Sequence, residues 1–115
     1  MLPKKQRLNR VQFSEVFGKG TSVHGKVFSF RFYRGGNINE VRLSVVVSKK
    51  QAHGAIVRGR IRRRCYSILK KLLSEITIPF HGIVFVRTDL SSHSPLLLER
   101  ELQGLLSRAG LLGDG

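Results

Sequence analysis

The chain has 115 residues, a common size for one compact domain, and 41% of them are apolar, too many for a wholly disordered basic tail. Lysine and arginine number 21 against 7 acids, a formal charge of +14 with a pI near 11.4, so a folded form repels itself unless something polyanionic balances it. Cys65 is the only cysteine, which excludes an intramolecular disulfide and a cysteine-rich zinc site, and no apolar run approaches the length of a transmembrane helix.

Residues 1–8 read as a short basic arm. No apolar stretch follows Met1-Leu2-Pro3-Lys4-Lys5, so no secretory leader is expected, and a reducing cytoplasm suits the single thiol. Asn9 followed by Gln12 makes an N-terminal capping pair, after which Phe13, Val16 and Phe17 fall on one face of a short helix stopped by Gly18 and Gly20. From Val27 the period changes to two: Phe28, Phe30 and Phe32 point one way, and Ser29, Arg31 and Tyr33 the other. Gly35-Gly36-Asn37 is turn chemistry, and Val41, Leu43, Val45 and Val47 resume the alternation, so the two runs read as an antiparallel hairpin.

A long basic helix is predicted from about Ala55 to Glu75, and Ile83-Val84-Phe85-Val86 reads as a strand buried on both faces. Ser94 then caps a last helix with Pro95 at its first position; Leu98, Leu102, Leu105 and Ala109 form its buried stripe, Gly110 ends it, and residues 111–115 read as a frayed end. The order helix, strand, strand, helix, strand, helix predicts an α+β fold, a single-domain sandwich of helices on a mixed sheet spanning residues 1–115.

At roughly 100° per residue, Val57, Ile61, Cys65, Ile68 and Leu72 form one apolar stripe on the basic helix, which makes Cys65 a buried, inert thiol. Arg60, Arg64 and Lys71 then cluster on one side, Arg58 and Arg62 border the other with Tyr66 continuing their row, and Arg63 and Lys70 point away. Like charges four residues apart repel by a few tenths of a kcal/mol per pair, and Glu75 is the only acid on the helix. Selection for stability alone would mix the signs. Arginine grips phosphate bidentately and stacks on bases, so the helix reads as a nucleic-acid surface. Arg58 and Arg62, at the rim of the stripe, are placed to line a groove between helix and strands, with Phe13, Phe17 and Tyr33 as stacking platforms; such a groove suits single-stranded nucleic acid.

Catalytic chemistry is missing. His24, His53, His81 and His93 are scattered without metal-ligand spacing, the acids form no cluster that would hold Mg²⁺, and neither a phosphate loop nor a nucleophile elbow is present. No catalytic residue and no protein-held metal are therefore expected.

Three stretches together resemble the protein subunit of bacterial-type ribonuclease P. They are Arg7-Leu8 with residues 13–23 (Phe13 to Val23), residues 43–50 (Leu43 to Lys50), and Ala55-Ile56-Val57-Arg58-Gly59-Arg60-Ile61-Arg62-Arg63, which is similar to the family's arginine-rich helix motif. The likeness runs over about residues 4–110 in order and spacing. It implies a sheet of about four strands with three helices and a left-handed crossover, against the usual handedness. It also implies a division of labour: the RNA subunit, with bound Mg²⁺, cuts precursor tRNA at its mature 5′ end, while the protein binds that RNA and the 5′ leader and needs no obligate protein partner. By position, Lys49, Lys50, Arg58, Arg60, Arg62, Arg63 and the adjacent Arg64 would contact RNA, and Phe13, Phe17 and Tyr33, with Arg58 and Arg62, would line the leader groove.

Gly59 stands where the family usually has asparagine, residues 51–54 run one residue longer than usual, and Tyr66 takes a place often basic. A structural ribosomal-RNA-binding protein shares the composition but need not combine these three stretches. A membrane-surface role fits least, since the helix has no interfacial tryptophan.

Overall fold

The computed structural model describes residues 6–52, 54–90 and 93–112. Its elements in chain order are α1 (Arg10–Lys19), β1 (Thr21–His24), β2 (Phe28–Tyr33), β3 (Arg42–Val46), α2 (Ala55–Leu73), β4 (His81–Val86) and α3 (Pro95–Arg108). The four strands form one sheet in the order β1-β2-β4-β3. β2 pairs antiparallel with β1 and β4, whereas β3 runs parallel to β4 with α2 as the crossover.

Local chemistry sets the helix ends. Asn9 Oδ1 accepts the Gln12 N–H at 2.8 Å and Gln12 Oε1 accepts the Asn9 N–H at 2.9 Å, the reciprocal capping box that the sequence suggests. At the other end of α1, a Cβ on Gly20 would fall 2.5 Å from the Val16 carbonyl oxygen and 2.9 Å from that of Phe32, so only glycine lets helix and β2 approach so closely. Ser94 Oγ accepts the Leu97 N–H to start α3, and Gly110, at φ +79°, turns the chain so that the Leu111 N–H reaches the Leu106 carbonyl.

The pleat divides the sheet into two unequal faces. Phe28, Phe30, Leu43, Val45, Val84 and Val86 point to one face and build the main core with Ile61, Cys65, Leu69 and Leu72 of α2 and Leu98, Leu102, Leu105 and Leu106 of α3. Ile83, out of phase with Val84, points to the second face, where it and Val16 of α1 are both fully buried. β4 is therefore apolar on both faces, as its unbroken apolar run requires.

Four expectations need correction. β2 and β3 do not form a hairpin: β4 lies between them, because the strand apolar on both faces takes the sheet's interior. β1 has no counterpart among the predicted elements, since its largely exposed Thr21-Ser22-Val23-His24 shows no alternation and is held by pairing with β2. On α2 the buried row is Ile61, Cys65, Leu69 and Leu72, with Ile68 only partly buried and Val57 44% exposed. Residues 111–115 are not uniformly frayed: Leu111 and Leu112 are buried in the core, and residues 113–115 lie outside the described ones. Cys65 is fully buried, which pushes its thiol up to about 12 despite the neighbouring Arg64. No helix of the described residues is long and apolar enough to cross a membrane.

His81 is the one buried histidine among the described residues: 6% exposed, on the second face, its Nδ1 without a partner. Burial and the Arg42 guanidinium hold its pKa below 6.5, with Glu15 and Glu40 opposing them. The unfolded chain thus takes up the proton first, and folding stability falls as pH drops below 6.5, by at most about 1.4 kcal/mol per pH unit from this group. Urea melts between pH 8 and 5 check this: the native chain loses stability over that range more steeply than His81→Phe.

Candidate nucleic-acid interface

Rotation of α2 on its buried row sorts the arginines. Tyr66 is buried, and its Oη accepts the Val45 N–H at 3.0 Å, which places the Arg58–Arg62–Tyr66 row on the side of β3, an edge strand. Tyr66 continues the row as expected, and its phenol anchors helix to strand. Arg58 Nη1 donates to the Ala52 carbonyl at 3.1 Å, fastening the segment that leads into the helix, where Lys49 and Lys50 are exposed. His53 lies outside the described residues.

The opposite side of α2 faces α3. Arg64 Nη2 donates to the His93 carbonyl at 2.8 Å and Nη1 to the Leu90 carbonyl at 3.3 Å, and Lys71 pairs with Glu99 at 3.1 Å. Arg64 thereby braces the entry to α3, a structural duty that its place in the arginine run does not reveal. Arg60, Arg63 and Arg64 line an open cavity of about 420 Å³ with Ser67, Ile68 and Pro95. Arg60 and Arg63 are exposed, and no acid occupies the first turn of α2, so the positive end of the helix adds to their field.

The two phenylalanines belong to the other face of the sheet. Phe13 and Phe17 stack within α1, ring centroids 6.4 Å apart and planes 14° apart, and Phe17 is 60% exposed. They flank Val16, the residue that α1 buries. Half-buried Phe85, with its neighbours Val46 and Ser29, points to that same second face. Arg31 fixes the end of the helix, its Nε donating to the Val16 and Phe17 carbonyls at 3.1 and 2.9 Å.

The predicted groove is thus relocated. The space between α2 and the sheet is filled with core, and the open aromatic surface lies on the second face beside α1. Tyr33 alternates with Ser29 and Arg31 onto that same second face, its ring resting against its own turn, where a Cβ on Gly35 would lie 2.5 Å from it. What links the two surfaces is the free edge of β3. There a pocket of about 500 Å³ is lined by Arg7, Leu8 and Asn9 before α1, Arg42 and Ser44 of β3, and Tyr66 of α2. These residues escape a sequence reading because no spacing connects them.

The chain resembles known proteins in sequence and in fold. The family model described as Ribonuclease P matches residues 2–110. A Ribonuclease P protein component of Pseudanabaena sp. is 32% identical over 113 residues, covering 97% of each chain, and one of Synechococcus elongatus is 33% identical over 117 residues, covering 96% of this chain and 95% of its own. Among solved structures, a mutant Staphylococcus aureus RNase P protein "with defective mRNA degradation activity" superposes with a TM-score of 0.83 at 26% identity, covering 95% of this chain and 92% of its own. The Thermotoga maritima RNase P protein superposes with a TM-score of 0.77 at 27% identity, covering 89% and 96%.

Gly59 interrupts the arginine turns for no backbone reason, since it is helical and a Cβ there would meet only the side-chain tips of Arg63, at 3.3 Å, and Arg62, at 4.0 Å. Gly59→Ala is expected to stabilise the domain by about 0.5–1 kcal/mol in chemical denaturation, because alanine gives up less backbone entropy in a helix.

Proposed function

The chain belongs to the ribonuclease P protein family, and we propose how such a subunit divides its surface between RNA partners. It serves as the protein subunit of that ribonucleoprotein endonuclease, with RNA binding and tRNA processing as its work. The catalytic RNA takes the arginines of α2, Arg58, Arg60, Arg62 and Arg63, together with Lys49 and Lys50. Arg64, engaged by two carbonyls, supports that surface from beneath. The 5′ leader of precursor tRNA takes the aromatic second face, where exposed Phe17 stacked on Phe13 offers a platform that any unpaired base fits.

The observation that carries this reading is the layout of charge. Arg58, Arg60, Arg62 and Arg63 surround a helix whose one buried row is committed to the core, so their charge serves an external polyanion. Among the described residues no group of three or more His, Cys, Asp or Glu side chains gathers to hold a metal. On this reading the Mg²⁺ that phosphodiester cleavage uses enters with the RNA, and this chain's residues hold and orient RNA strands.

Mixing the chain with the ribonuclease P RNA of its own organism at low Mg²⁺ should give cleavage of precursor tRNA at the mature 5′ end, with neither component active alone. Absence of stimulation despite tight RNA binding would instead favour a purely structural RNA-binding role. Arg58→Ala and Arg62→Ala should each weaken RNA binding and reduce the log–log salt slope by roughly 0.7–0.9 for every phosphate that the variant no longer neutralises, leaving the circular dichroism spectrum unchanged.

A further inference from the structure

The pocket at the free edge of β3 has a composition that distinguishes it from the rest of the basic surface. Its two arginines are not equivalent. Glu40 Oε1 lies 2.7 Å from both Nε and Nη2 of Arg42, which is thereby neutralised, and Arg42 Nη1 donates to the Arg7 carbonyl. No acid lines the pocket beside Arg7, and the Arg7 Nε is sealed from solvent without a hydrogen-bond partner. An unsatisfied buried donor on a guanidinium costs stability, and Arg7 is the cation of this pocket that no acid neutralises.

The remaining lining is neutral and of two kinds. Tyr66, 5% exposed, uses an oxygen lone pair to accept the Val45 N–H, so its hydroxyl proton is left to donate. Ser44 adds a hydroxyl, and Asn9, whose Oδ1 is taken by the cap of α1, adds an amide nitrogen. Leu8 and the Tyr66 ring supply apolar surface. One uncompensated cation, several neutral hydrogen-bonding groups and two apolar flanks are the complement of a single nucleotide: a phosphate, a base edge and a base face. A bare anion would be met by more charge, and a hydrocarbon by none. The volume of about 500 Å³ falls within the usual range for small-molecule sites, roughly 300–1,000 Å³.

Position completes the case. Tyr66 follows Arg58 and Arg62 at intervals of four on α2, while Asn9 caps the helix that carries Phe13 and Phe17. The pocket therefore sits where a strand passing from the arginine row to the aromatic face must round the edge of β3. We propose that this pocket receives one unstacked nucleotide of a bound single strand, its phosphate on Arg7 and its base between Leu8 and Tyr66. This inference rests on the RNA-binding reading above and assigns it a site that the arginine motif does not include.

The test uses the full chain and nuclear magnetic resonance, with adenosine 5′-monophosphate, adenosine and inorganic phosphate as probes and a single-stranded decaribonucleotide as the longer ligand. The monophosphate should shift the Val45, Ser44 and Arg7 amides saturably, and should bind more tightly than adenosine or phosphate alone. Arg7→Ala should weaken the monophosphate and the decanucleotide by roughly tenfold, the scale of one charge-assisted hydrogen bond, with Arg7→Lys recovering part. Ser44→Ile, whose β-branched side chain suits a strand but obstructs the pocket, should have a similar effect with the amide spectrum of the fold retained. Unmoved Val45 and Arg7 signals, or phosphate binding as tightly as the monophosphate, would overturn the nucleotide site. If Arg58→Ala and Arg62→Ala weaken the decanucleotide while Arg7→Ala and Ser44→Ile do not, the pocket proposal falls and the RNA-binding reading stands. If none of the four weakens it, both fall.

Discussion

Seating the Ile61, Cys65, Leu69 and Leu72 row on the sheet fixes the rotation of α2, and nearly every functional feature of the surface follows from that rotation. Each such side chain contributes roughly 1.5–3 kcal/mol on burial, whereas each like-charged pair along the helix opposes folding by only a few tenths. The apolar row therefore decides the orientation, and the arginines occupy whatever directions remain. One side meets β3 and the other meets α3, with Arg63 and Lys70 left outward. A helix turned by one residue would bury an arginine in place of Cys65 or bring Tyr66 away from the Val45 N–H.

The same seating explains why residues of one type do different work. Arg64 faces two carbonyls at the entry to α3, and Arg31 closes the end of α1, so each serves as a donor that satisfies backbone oxygens. Arg42 is neutralised by Glu40. Arg60 and Arg63 are exposed on turns without acids. Net charge thus overstates the binding surface, because a share of the guanidinium groups is consumed in holding the fold together.

β3 is the hinge between the two faces in a spatial sense. Its Leu43 and Val45 enter the main core, its Arg42 and Ser44 point to the second face, and its free edge borders both α2 and the segment before α1, where Arg7 bridges to Leu43. Covering part of that edge with Arg7, and with a tyrosine that takes the Val45 N–H, also satisfies backbone groups that an open edge would leave free for unwanted strand pairing.

Whatever depends on neighbours within a few residues is legible in the chain before it folds. The Asn9–Gln12 capping box, the alternation through Phe28–Phe32 and Leu43–Val47, the arginine turns of α2, the Ser94-Pro95 start and Gly110 stop of α3, and the buried state of Cys65 are all of this kind. The family motif, being a local pattern, is legible for the same reason. The remainder exists only once distant segments meet. The interior place of β4, the pairing that holds polar β1, the burial of Tyr66 and the separation of Phe13 and Phe17 from the α2 arginines all arise in that way. Periodicity tells which residues share a face, but only packing, by excluding water from one particular pair of surfaces, tells what that face meets.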